Sequence, residues 1–117
     1  MSKVRIYSKT EITDFGKITY WSDKNNTLRF ALYSYSDDNK FLYLSNVYVA
    51  PELRGRGFGD RVLDFAFEKA KDLNYKKLCL NVKKDSWVED WYKRRGFVPF
   101  EDCGKDYPGN VWMVAKV

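Results

Sequence analysis

Arg54-Gly55-Arg56-Gly57-Phe58-Gly59 is the stretch whose residue types could do chemistry. Its two arginines carry permanent positive charge on forked donors that suit a phosphate. Its three glycines, at alternate positions, remove Cβ atoms and let a ligand approach the backbone closely. Phe58 then starts an apolar stripe through Val62, Ala66 and Ala70, with Leu63 and Phe67 beside it. That is the buried face of an amphipathic helix. The first N–H groups of a helix have no intrahelical partner, and its dipole favours negative charge. The turn therefore reads as an anion site suited to a pyrophosphate. The competing reading is a tight turn with solvated arginines. A Walker A loop is excluded because Gly59 is followed by Asp60, and the glycines are spaced GxGxG rather than GxGxxG.

The elements that position this turn follow from composition and periodicity. Phe41 to Val49 is rich in aromatic and β-branched residues and reads as a strand, which Ala50-Pro51-Glu52 ends. Asn74 is a plausible left-handed cap for the helix, and Lys77 to Val82 reads as a buried strand. Strand, helix, strand implies that the two strands run parallel. Before this unit, Val4 to Tyr7 alternates briefly and Thr10 to Phe15 has room for a turn or short helix. Lys17 to Trp21 and Leu28 to Tyr35 read as strands, separated by polar clusters at Ser22–Asn26 and Ser36–Lys40. These form an antiparallel meander with Phe41 to Val49. After it, Asp85 or Ser86 can cap a second helix running to about Arg94, which Gly96 ends. Phe97-Val98 begins a strand made irregular by Pro99, Glu101 to Asn110 is a loop, and Val111 to Val117 is the last strand. The expected fold is α/β of the mixed α+β kind. It has a mostly antiparallel central sheet, one parallel strand-helix-strand unit and two main helices in a single domain over 1–117.

The central stretch resembles the GNAT family of N-acetyltransferases. Arg54, Gly57 and Gly59 match that family's Gln/Arg-x-x-Gly-x-Gly/Ala signature for acetyl-CoA, and Val47-Tyr48-Val49-Ala50-Pro51 is similar to its strand ending. Downstream, Leu80-x-Val82 is followed by Tyr92-x-x-x-Gly96-Phe97, a second family pattern. The family often has an asparagine seven residues before that tyrosine, where this chain has Asp85. The resemblance implies acetyl-CoA as acetyl donor, with Val47, Tyr48, Val49, Arg54, Gly55, Arg56, Gly57, Phe58, Gly59, Asp85 and Tyr92 around it. It implies that the two parallel strands splay to admit the pantetheine arm. It also gives Tyr92 a catalytic role, protonating the departing thiolate. Read from the residues alone, Tyr92 is an amphipathic core tyrosine beside Trp87 and Trp91.

The reaction implied is direct acetyl transfer to a neutral amine. A backbone N–H near Val47 to Val49 can stabilise charge on the carbonyl oxygen. A lysine amine, with an ordinary pKa of about 10.4, is almost wholly protonated at neutral pH and needs a base. Leu44-Ser45-Asn46-Val47 contains no carboxylate where the family often has a glutamate. Ser45 or Asn46 could hold a relay water, and Glu101, Asp102 or Asp106 could serve from the loop, so no base is assigned. The short Ser8 to Gly16 connection leaves too little chain for the family's acceptor-side helices. The acceptor is therefore expected to be a macromolecular amine, a protein lysine or N-terminus. The competing explanation is a homodimer whose partner closes the site.

Composition bounds the alternatives. The chain has 117 residues with 18% aromatics, which argues against disorder. No apolar run is long enough for a membrane span and no signal-peptide pattern opens the chain, so a cytoplasmic protein without membrane partners is expected. The absence of histidine excludes Ser-His and Cys-His triads and most zinc sites, and no metal is expected. Cys79, in an apolar run, reads as a core residue; Cys103 is undecided. A net charge of +5 favours acidic partners. A small basic nucleic-acid-binding domain using Arg54, Arg56, Lys83, Lys84, Lys93, Arg94 and Arg95 explains the charge but not the paired motifs. A catalytically inactive CoA-binding relative is the other rival.

Overall fold

The computed structural model describes residues 5–35, 40–100 and 108–117. Among them the chain runs β1 (Ile6–Thr13), β2 (Gly16–Asp23), β3 (Leu28–Tyr35), β4 (Phe41–Val49), a short 3₁₀ turn (Pro51–Leu53) and α1 (Phe58–Asp72). It continues through β5 (Lys77–Lys83), α2 (Trp87–Lys93), β6 (Val98–Pro99) and β7 (Asn110–Lys116). The strands form one seven-stranded sheet in the order β1-β2-β3-β4-β5-β7-β6. Only β4 and β5 pair in parallel; the other described pairings are antiparallel. This is the mixed, mostly antiparallel architecture that the sequence implies. No described helix is long and apolar enough to cross a membrane.

Both helices lie on one face of the sheet. Alternation along the strands sends Leu28, Phe30 and Leu32 of β3, Leu42 and Leu44 of β4, and Leu78, Leu80 and Val82 of β5 to that face. They pack against Phe58, Val62, Leu63, Ala66 and Ala70, the predicted stripe of α1. The opposite face carries a smaller cluster of Phe41, Cys79 and Val114 with Tyr43, Phe100 and Trp112 beside it. Cys79 is fully buried there, as its apolar setting predicts.

Asn74 does close α1. It adopts φ 64°, with Asn74 N–H donating to Lys71 O (3.1 Å) and Tyr75 N–H to Ala70 O (2.8 Å). That pair of bonds is a Schellman motif. Of the two candidate caps for α2, Ser86 is used: its Oγ accepts from Glu89 N–H at 3.3 Å.

The N-terminal reading needs correction. Of the turn or short helix expected between Thr10 and Phe15, the turn forms, at Asp14-Phe15, and β1 runs on to Thr13 before it. Every residue of β1 is exposed, so beyond the brief alternation ending at Tyr7 no apolar pattern marked its remainder as a strand. Thr13 Oγ1 accepts from the N–H groups of Phe15 and Gly16, both at 3.2 Å, and sets the turn. Gly16 is required by close approach: a Cβ there would stand 2.0 Å from Ser34 O. The Ser36–Asn39 turn, most of the Glu101–Asn110 loop, Cys103 and the acids Glu101, Asp102 and Asp106 lie outside the described residues.

Candidate functional site

Two irregularities in β4 make the site. The first is the end of its pairing with β5. The parallel ladder holds only Phe41↔Lys77, Leu42↔Leu78 and Tyr43↔Cys79, so beyond Tyr43 the two strands are not paired. The second is a bulge. The β3–β4 register passes from Arg29↔Tyr48 to Ala31↔Ser45, so Asn46 and Val47 stand opposite Phe30 alone. Asn46 takes φ 55°, a left-handed conformation that asparagine tolerates better than most residues. A bulge leaves a residue out of the ladder, and its N–H is then available to a ligand.

Below the parted strands lies a cleft of about 470 Å³. β4 supplies Val47, Tyr48 and Val49; the glycine turn supplies Arg54, Gly55 and Gly57; α1 supplies Phe58, Gly59 and Asp60. Thus eight of the nine site residues expected from Val47 to Gly59 are brought together, and Arg56 is exposed and does not line the cleft. Tyr92 also lines it, on α2. Asp85 does not: it is exposed in the β5–α2 turn at φ 59°, and its N–H donates to Glu89 Oε1 at 3.3 Å.

The turn presents donors as its sequence suggests. Gly57 caps α1 at φ 81°, with no side-chain cap. The first backbone bond of α1 is Arg61 N–H to Gly57 O at 3.1 Å. The N–H groups of Phe58, Gly59 and Asp60 therefore have no acceptor within α1, while the Arg54 N–H donates to Pro51 O at 3.2 Å. A Cβ at Gly55 or Gly57 would meet nothing within 4 Å, so both border open space. Gly59 differs, since its Cβ would stand 3.4 Å from the Trp91 ring. Arg54 Nε donates to Val49 O at 3.0 Å, which folds the guanidinium back over the turn.

Helix α2 forms the remaining wall with Trp87, Val88, Trp91 and Tyr92. Except for Tyr92, these are lining residues that the sequence motifs do not reveal. Their spacing of one and four places them on one helical face. Trp87 is 71% exposed at the cleft. Trp91 sits under the guanidinium of Arg95, whose Cζ is 4.0 Å from the ring centroid. Arg95 also pairs with Asp60, Nε to Oδ1 at 2.7 Å, tying the end of α2 to the first turn of α1. Arg95 and Lys93, which pairs with Glu89, are thus engaged within the chain.

Tyr92 is 6% exposed and packs edge-on to Trp91 and Phe97. Burial pushes its phenol up to about 12, so the hydroxyl keeps its proton at neutral pH. Its hydroxyl has no hydrogen-bond partner among the described residues. It is a neutral donor beside the cleft.

Comparison with known proteins decides the family. The family model for the acetyltransferase (GNAT) domain matches residues 16–99, well over half of the chain. The chain belongs to the GNAT acetyltransferase family. The Bacillus subtilis S-alkylcysteine N-acetyltransferase is 29% identical over 91 residues, 74% of this chain and 51% of that protein. The chain thus spans about half the length of this curated relative. A GNAT family acetyltransferase from Elizabethkingia anophelis, solved with acetyl-CoA bound, superposes with a TM-score of 0.68 at 16% identity, over 96% of this chain and 98% of that one. An IAA acetyltransferase from Bacillus cereus gives 0.67 at 16% identity, over 97% and 100%. At these identities the structural matches speak for the GNAT fold alone.

Proposed function

We propose that the chain is an acetyl-CoA-dependent N-acetyltransferase acting as one domain over 1–117. The observation that carries this reading is the cleft itself. It joins an uncapped helix N-terminus, the end of β4 beyond its pairing with β5, and a protonated tyrosine in one groove. The residues present fit the donor. The N–H groups of Phe58, Gly59 and Asp60, with Arg54, would hold the pyrophosphate, and the open space at Gly55 and Gly57 leaves it room. The parted β4 and β5 would offer their unpaired edges to the amide groups of an extended arm. When bound, acetyl-CoA supplies the acetyl group as a thioester. The N–H freed by the Asn46–Val47 bulge would accept charge on the carbonyl oxygen. Tyr92 would hold a proton ready for the sulfur. No base is assigned. Ser45 and Asn46 remain the sequence candidates near the bulge, and the Asn46 amide donates to Tyr33 Oη at 3.4 Å.

The acceptor is an amine. A protein lysine or N-terminus is one reading, supported by the direct β1–β2 hairpin that stands where a longer connection would wall the site. A small amine is the second, supported by a further half-open hollow beside β4 and by the S-alkylcysteine acceptor in the relative's name. Labelled acetyl-CoA offered with peptides, polyamines and amino acids tests the proposal. Transfer to any amine supports it. Acetyl-CoA binding without transfer would leave a CoA-binding protein, and nucleic-acid binding without acetyl-CoA binding would overturn it.

A further inference from the structure

Back to back with the cofactor cleft lies a second cavity of about 500 Å³, sharing Val47 and Tyr48 as a common wall. Its polar lining includes Ser22, Asn26, Arg29 and Asn46, and Arg29 is its one charged residue. Arg29 stands directly opposite Tyr48 in the β3–β4 register, with its Cζ 4.6 Å from the Tyr48 ring centroid. A guanidinium over a ring keeps its in-plane N–H donors for another partner. Among the described residues that partner is not a carboxylate. The ion pairs there are Lys9–Glu11, Lys93–Glu89 and Arg95–Asp60. Asp23 begins the turn that carries Asn26, but its oxygens are spent locally. Oδ1 accepts from the N–H groups of Thr27 (2.6 Å) and Leu28 (3.0 Å), and Oδ2 accepts from the Thr27 hydroxyl.

The hollow thus has one wall in common with the cofactor cleft and, beside that wall, one positive charge with no carboxylate partner among the described residues. An amine aimed at an acetyl group held in the first cleft would reach it across Val47 and Tyr48. We propose that this second cavity is the acceptor site, with Arg29 holding a carboxylate of the acceptor. The acceptor is then a small amine that carries its own carboxylate, an amino acid by chemistry. This rests on the N-acetyltransferase reading and decides between its two acceptor classes.

The test pairs common L-amino acids with their carboxamides, which keep the amine and the side chain but lose the charge. Acetyl transfer is compared as kcat/KM for the free amine, and the Arg29 Nε–H resonance is followed while L-methionine or L-methioninamide is added. The preferred amino acid should exceed its carboxamide by about 10-fold or more, the scale of a charged hydrogen-bonded contact. Arg29→Gln should bring that ratio toward one through KM rather than kcat, and Arg29→Lys should retain part of it. The Arg29 resonance should move with L-methionine and not with the amide. Equal transfer to acids and amides, a preference that survives Arg29→Gln, or transfer confined to protein amines would overturn the assignment. An acetyl-CoA-induced melting shift, measured on the same samples, separates the two failures. Its absence sinks the acetyltransferase reading, whereas a silent Arg29 resonance sinks the carboxylate site whatever acetyl-CoA does.

Discussion

Tyr92 is a core residue that the proposed reaction also uses as a reagent. Its ring packs against Trp91 and Phe97, while its hydroxyl has no described partner. Deleting only the oxygen should leave the packing in place. Tyr92→Phe is expected to lower turnover by about 10²-fold, the low end for a general acid, with acetyl-CoA affinity little changed. Steady-state kinetics with a fixed amine checks this, and full activity would return Tyr92 to packing alone. The pH profile is a second check. A phenol held at about 12 stays protonated across the working range, so kcat should show no fall from Tyr92 ionisation below about pH 10. Stability behaves differently. An unfolded tyrosine releases its proton near pH 10 and the folded one does not, so this contribution is lost as pH rises above about 10.

At the scale of elements, α2 is short and depends on its cap. Glu89 is 6% exposed. The Asp85 N–H first, and then the Lys93 ammonium, hold its carboxyl below the ordinary value against the cost of burial. A lowered carboxyl stabilises fully above the unfolded pKa of about 4 and loses that contribution as pH falls through the folded value. Glu89→Gln should therefore be less stable than the wild type at pH 7, and the gap should close in acid; thermal melts from pH 7 to pH 3 would show it. A gap that stays constant with pH would mean the charge does not matter. The glycine turn makes a complementary case. Gly57→Ala meets no atom within 4 Å, so its cost is conformational only, about 1 kcal/mol for a left-handed alanine, readable by urea unfolding. The turn and both helices were legible because a stripe of period 3.6, a glycine spacing, a cap candidate at Asp85 or Ser86 and the stop at Gly96 are local signals. β1 was legible only at its start, in the alternation ending at Tyr7, since a wholly exposed edge strand has no buried face to alternate. The bulge left one trace, an asparagine within a run of strand formers. The parting of β4 from β5 left none, because both strands read as continuous and pairing is a property of two segments together.

At the scale of the whole molecule, a net charge of +5 meets a ligand rich in phosphate. In the cleft itself that charge is modest. Arg54 lines it, Arg56 does not, and Asp60 is matched by Arg95. Most of the affinity should then come from backbone N–H groups and from burial along the parted strands, with a smaller contribution screened by salt. Acetyl-CoA at 100 times its dissociation constant should stabilise the fold by about 2.7 kcal/mol. In a domain of this size that is a melting shift of roughly 10 °C. Raising the salt at fixed ligand should reduce the shift without removing it. Gly59→Val should remove it, because a branched side chain starting 3.4 Å from Trp91 displaces the ring that walls the cleft. Trp91→Ala separates space from wall: the double variant Gly59→Val/Trp91→Ala should regain part of the shift if the ring alone was displaced. An undiminished shift in Gly59→Val would put the ligand elsewhere on the molecule, and a shift lost entirely at moderate salt would make the surface charge, rather than the cleft, its binding site.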